Sequence, residues 1–88
     1  MRETGAVTTV RYFAAIKEAA RAGSEDVDAR TLGSALAQLR GRHDDRFATV
    51  LGRCSFVVDG DPVGGRAHDA VLLRPESLVD VLPPFAGG

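Results

Sequence analysis

The sequence predicts an α+β domain, a mixed sheet of about five strands packed on one main helix, and three stretches carry that prediction. Val7 to Phe13 (VTTVRYF) is dense in β-branched and aromatic residues, the composition of a strand. Leu32, Ala35, Leu36 and Leu39 recur at i, i+3, i+4 and i+7, one apolar helical stripe. Leu78 to Leu82 (LVDVL) alternates as a last strand, and Pro83-Pro84 ends it. The 88 residues form one domain, small enough to bury only about 60–65% of the surface its unfolded chain exposes.

In order along the chain, Met1 to Ala6 reads as a short polar leader. The first strand has two faces, Thr8, Val10, Tyr12 and Val7, Thr9, Arg11, Phe13. The segment 14-AAIKEAARAG-23 is rich in helix formers and is expected to close at Gly23 as the C′ residue. Ser24 to Ala29 is a weak, polar strand suited to a sheet edge. Thr31 opens the main helix as N-cap, and that helix runs to about Arg42. His43 to Arg46 is a charged turn, and Phe47, Val50 and Leu51 predict one more short helical turn. Ser55 to Val58 leads into Asp59-Gly60, a hairpin turn whose two positions need positive φ. Pro62 assigns the return strand to an edge. Residues 64–69 form a loop, Val71 to Leu73 a short strand, and Pro75-Glu76-Ser77 a turn. A hairpin-like start, a helix crossing over it and a last strand returning beside the first describe a β-grasp. A ferredoxin-like arrangement would need a second full-length helix near residues 64–70, and Gly64-Gly65 argues against one.

Eleven basic side chains face twelve acidic ones, for a formal net charge of -1. That balance lacks the basic footprint of a nucleic-acid binder. No apolar run is long enough to span a membrane, so no membrane partner is expected and a cytoplasmic setting is the default. A single cysteine, Cys54, leaves the fold to its core alone.

Internal residues offer little chemistry. Gly60 to Arg66 (GDPVGGR) lacks the spacing and the following helix of a phosphate loop, and reads as a surface hairpin. His43 and His68 stand apart with no ligand spacing, as solvated loop residues. Cys54 has no second cysteine and reads as a small buried hydrophobe. Asp44-Asp45 is a solvated helix end. There is no acid–base dyad, metal cage or activated nucleophile, so the chain does not read as an enzyme by itself.

The end, 81-VLPPFAGG-88, is different. Residues 83–88 are expected to form a protruding arm held straight by Pro83 and Pro84. A carboxylate at the tip of Gly87-Gly88 can be activated as an acyl adenylate, and two glycines let it thread a narrow channel. PPFAGG, the start VRYFAAIKEAARAG and the β-grasp order together resemble the small subunit of molybdopterin synthase, of the ubiquitin-like sulfur-carrier family. The resemblance runs from Val7 to Gly88. It implies that an ATP-dependent E1-like enzyme adenylates Gly88, which becomes a thiocarboxylate. It further implies that the tail enters the large synthase subunit, in a heterotetramer, and donates sulfur to a pterin precursor of the molybdenum cofactor. No cofactor is expected on this chain, since ATP is used by the activating enzyme. The RYFA segment before a short helix favours this branch over the thiamin carriers. Sulfur delivery to thiamin, cysteine or tRNA, conjugation of Gly88 to other proteins as a ubiquitin-like modifier, and a plain interaction module are the alternatives. Lys17 stands where the family often has Arg, keeping the charge without the planar fork, and residues 64–73 match the family's shorter loop poorly.

A docking surface follows from strand parity. Asp80 makes Leu78, Asp80 and Leu82 the outer face of the last strand, and Arg11 does the same for the face carrying Phe13. Parallel pairing then sets Arg11 beside Asp80 and Phe13 beside Leu82. Phe13, Lys17, Leu82, Pro83, Pro84, Phe85 and Ala86 are the expected partner-binding residues.

Overall fold

The structure, a computed structural model, describes residues 7–84. The leader 1–6 and the residues Phe85, Ala86, Gly87 and Gly88 lie outside the described residues. The elements are β1 (Val7–Tyr12), α1 (Ala15–Ala20), β2 (Ser24–Asp28), α2 (Leu32–Arg42), α3 (Asp45–Leu51), β3 (Ser55–Val58), β4 (Asp61–Pro62), a 3₁₀ turn (His68–Ala70) and β5 (Leu78–Leu82). The strands form one mixed sheet in the order β2-β1-β5-β3-β4. β5 sits at its centre, parallel to β1 and antiparallel to β3. This is the β-grasp arrangement. The three-residue 3₁₀ turn is all the helix found between β4 and β5, so the ferredoxin-like alternative fails.

One face of the sheet builds the core. Thr8, Val10 and Tyr12 from β1, Val27 from β2, Phe56 and Val58 from β3 and Val79 and Val81 from β5 are buried, and they meet Ile16, Leu32, Ala35, Leu36, Leu39, Phe47 and Leu51 of the helices. The α2 stripe is the one its spacing predicts. Its N-cap is Thr31, whose side chain accepts from Ser34 N, satisfying a first-turn amide. Asp59 and Gly60 take φ 51° and 83°, as a type I′ hairpin turn requires. Pro62 lies in an edge strand, where its missing N–H costs no ladder bond. β2, the weak polar strand, is the other edge.

Five local expectations are corrected. Phe13 lies beyond β1, because the chain turns at Ala14, which adopts φ 57° and ψ −129°. α1 closes two residues before Gly23: Arg21 takes the left-handed cap conformation at φ 61° and its N–H reaches Glu18 O and Lys17 O. Val71 to Leu73 is not a strand but a single bridge, Thr31 to Leu72, with Val71 and Leu73 anchored in the core and Leu72 outward. The loop before it docks on α2 at Gly33, where a Cβ would stand 1.9 Å from Asp69 Oδ1, so any other residue would force the Asp69 carboxylate to move. Asp44 is not merely solvated but is the N-cap of α3, accepting from Phe47 N at 3.0 Å. The two histidines are not solvated loop residues: His43 stacks on Phe47, and His68 meets Phe56 edge-on.

Candidate functional site

Because β1 and β5 run parallel, both end at the same pole of the sheet, with Tyr12 opposite Val81 and Arg11 opposite Asp80. Phe13 and Leu82 are therefore the next residues along their two chains. β3 begins at this pole too, with Ser55 opposite Leu82. All the helices that bury core residues use the opposite face, so Thr9, Arg11, Asp80 and Leu82 look outward from an open sheet.

On that open face Arg11 contacts two residues, Asp80 and Phe13. Its Nε donates to Asp80 Oδ1 at 2.7 Å and a terminal nitrogen donates to Oδ2 at 3.1 Å, a two-pronged pair. Its guanidinium carbon lies 5.8 Å from the centre of the Phe13 ring, within cation–π range. Phe13 is 38% exposed, a large apolar side chain in water. Leu82 and Pro83 are half-buried and Pro84 is exposed. Lys17 is exposed on α1. The structure thus gathers Arg11, Phe13, Asp80, Leu82 and Pro83 at the pole where the final segment begins, while Phe85, Ala86, Gly87 and Gly88 fall outside the described residues.

Ala14 adds strain at this point. Its φ and ψ belong to a turn position that glycine normally fills, and a side chain there costs about 1–3 kcal/mol. The strained residue directly follows Phe13 and sets the angle at which that ring leaves the strand.

A second group of polar residues lies on the core side of the same pole. Glu25 Oε2 accepts from Tyr12 OH at 2.8 Å and contacts His43 Nε2, while Oε1 accepts from Arg42 at 3.2 Å. Burial alone would push the Glu25 carboxyl up, but the hydrogen bonds from His43, Tyr12 and Arg42 outweigh it and hold it below its ordinary value. Burial, and then the bond to Glu25, push the Tyr12 hydroxyl well above its ordinary range. The cluster ties the end of α2 to β1 and β2. It went unnoticed in the sequence, although a signal was present: in β2 the alternation that turns Val27 inward also turns Glu25 inward, and an inward carboxylate needs donors.

The other candidates hold no chemistry of their own. Arg66 folds back onto Val63 O and Pro62 O, so the glycine-rich loop spends its cation on its own backbone. The half-buried Cys54 thiol donates to Val50 O and is pushed up by burial, away from the thiolate form. Among the described residues no group of acidic, His and Cys side chains could hold a metal ion, and no helix is long and apolar enough to cross a membrane.

Comparison with known proteins agrees with this geometry. A model of the ThiS family matches residues 10–88. Among solved structures, small archaeal modifier protein 1 from Methanosarcina acetivorans superposes with a TM-score of 0.80 at 18% identity, covering 96% of this chain and 98% of that one. In a complex of subunits 1 and 2 of molybdopterin-converting factor from Helicobacter pylori, the matched chain gives a TM-score of 0.69 at 23% identity, covering 93% and 99%. Urm1 from Trypanosoma brucei gives 0.70 at 13% identity, covering 99% and 100%. At these identities the likeness is one of fold. No curated protein sequence matches.

Proposed function

The chain belongs to the ThiS family of ubiquitin-like sulfur carriers and modifiers, and from that premise we propose that it is the sulfur-donating small subunit of a molybdopterin synthase. In this reading the Gly88 carboxylate attacks the α-phosphate of ATP on an E1-like activating enzyme, and pyrophosphate leaves. A sulfur nucleophile then displaces AMP from the carbonyl carbon and leaves a thiocarboxylate. Gly87 and Gly88 carry no side chains to obstruct either channel the tip must enter. Pro83 and Pro84 restrict the backbone where the chain leaves β5, so less entropy is lost when the tail docks. Phe13, Leu82 and Phe85 supply apolar side chains for the partner to cover, and Lys17 supplies a cation.

The observation that carries this reading is the shared ending of β1 and β5. It gives the tail a base with an exposed aromatic, a half-buried leucine and a fixed ion pair, all facing away from the core. The molybdopterin branch is favoured by the RYFA segment before a short helix, and by a structural neighbour that was solved as a complex of the two subunits of molybdopterin-converting factor. A neighbour named as an archaeal modifier favours a second reading, conjugation of Gly88 to other proteins.

Deleting Gly88 tests the mechanism. The truncated chain should melt like the parent, because the described core is complete at Val81, and should fail completely to form cofactor when mixed with a large subunit and a sulfur source. Sulfur transfer by the truncated chain would refute the carrier role. Intact mass of the protein from its own cells separates the two readings, since a carrier gains one sulfur in place of one oxygen and a modifier appears in larger adducts.

A further inference from the structure

Two large apolar side chains stand in water among the described residues, Phe13 at 38% exposure and Leu72 at 74%. Phe13 belongs to the site above, and Leu72 does not. Leu72 lines a cleft of about 360 Å³ together with Val58 and Asp59, at the other pole, where β3 ends and β5 begins. At about 3.3 Å per residue, β5 puts about 13 Å between that pole and Leu82. The main chain that presents Leu72 is fixed. Its neighbours Val71 and Leu73 are buried, Leu32 N donates to Val71 O at 2.9 Å, and Leu73 N donates to Arg30 O at 2.8 Å. A backbone already held in place needs no ordering when a partner covers the side chain.

The acidic groups around the cleft all have other engagements. Asp59 accepts from Ser77 Oγ at 2.8 Å and from Leu78 N at 2.9 Å. Asp61 faces Arg66 at 3.4 Å, Asp69 lies against Gly33, and Glu76 lines a different cleft beside Val7 and Thr9. Arg74 lines the Leu72 cleft, and neither it nor Arg30 joins an ion pair among the described residues. The uncompensated charge beside Leu72 is therefore positive.

We infer that Leu72 and Arg74 form a second docking surface, and that its partner is a short acidic segment of another protein with one apolar side chain at its centre. The apolar side chain covers Leu72 in the cleft, and the flanking carboxylates meet Arg74, whose planar fork suits them. A cleft of this size is at the lower end for ligand sites, with room for a side chain and not for a cofactor. A second copy of this chain is the poorer occupant, because Leu72 against Leu72 would bring two uncompensated Arg74 side chains to one contact. A polyanion is poorer too, because Asp59 and Asp61 stand in the cleft wall. Since this surface and the end of β5 lie at opposite poles, one partner can hold the chain here while another engages the far end. Nothing in this depends on the activation of Gly88.

The test follows the backbone amides of the full chain by NMR as a blocked pentapeptide, Glu-Asp-Leu-Asp-Glu, is added. Two control peptides replace its acids by Gln and Asn, or its Leu by Ser. The expected result is shifts at Val58 and at residues 70–74, with none at Arg11, Phe13 or Leu82. Each control peptide, and each of the variants Leu72→Ser and Arg74→Glu, should bind about tenfold more weakly, a loss of about 1.4 kcal/mol. Both variants should melt like the parent, since both side chains are exposed. No shift at these amides, binding undiminished in both variants, or equal shifts with inorganic polyphosphate would each overturn the inference. Shifts at Leu72 that grow with protein concentration alone would overturn it in favour of a second copy.

Discussion

Arg11 and Asp80 lie directly opposite each other on the first and last strands and are joined by two hydrogen bonds of 2.7 and 3.1 Å. The pair is wet, with side-chain exposures of 47% and 22%, and exposed pairs contribute little to stability. Asp80→Ala should lower the melting temperature by no more than about 5 °C, and by less in high salt. Exchanging the two residues, Arg11→Asp with Asp80→Arg, should recover most of what either reversal loses. A drop far beyond that range, measured by thermal melts at two ionic strengths, would show the pair to be a structural clamp.

Phe13 and Phe85 should behave as interface residues. Truncating a well-buried aromatic at an interface costs about 2 kcal/mol or more. Phe13→Ala or Phe85→Ala should therefore weaken binding to the large subunit roughly thirtyfold, at about 1.4 kcal/mol per tenfold, while the melt of the free chain barely moves. Calorimetry of the complex and a melt of the same sample separate the two effects. A variant that melts much lower yet binds normally would place the ring in the core instead.

Ala14→Gly should stabilise the protein. Relief of about 1–3 kcal/mol of backbone strain outweighs the roughly 0.5–1 kcal/mol that glycine's extra freedom costs, for a net gain of about 1 kcal/mol. In a domain of this size that is a rise of about 4–8 °C in melting temperature. An unchanged or lower melting point would show that the turn at Ala14 carries no strain.

The Glu25 cluster predicts opposite limbs of a stability–pH curve. Glu25 has a folded pKa below its ordinary 4.5, so its ionised form stabilises the fold above that value. The contribution is lost as pH falls through the lowered folded value. Tyr12 has a folded pKa raised above its ordinary 10.0, so its contribution is complete below that value and is lost as pH rises beyond it. Glu25→Gln should flatten the acid limb of denaturant melts across pH, and Tyr12→Phe the alkaline limb. An acid limb unchanged in Glu25→Gln would assign it to other carboxylates.

What the sequence revealed depended on how local the cause was. The α2 stripe, its Thr31 cap and the Asp59-Gly60 turn are set by residues within a few positions of one another, and all three form as read. The Arg11–Asp80 contact spans 69 positions, yet strand parity and one parallel pairing were enough to find it. Arg21 and Ala14 were missed because both adopt positive φ without being glycine, under constraint from packing that no propensity encodes. His43 was misplaced because its partners, Glu25 and Phe47, come from two other elements. The short strand expected at 71–73 failed because its inward residues, Val71 and Leu73, are held by the core and not by a neighbouring ladder.

The central place of β5 bears on how the molecule is made. β1 with β2, and β3 with β4, are two separate ladders that touch in the sheet only through residues 78–82. In chain order those residues follow every other described element, so the two ladders cannot join into one sheet until the last strand lies between them. A chain halted at residue 77 has both ladders and all three helices and still cannot close its sheet. The strand that closes the sheet is thus also the one from which the chain continues past Leu82, so a substitution that unseats β5 disturbs the closure of the fold and the base of the final segment together.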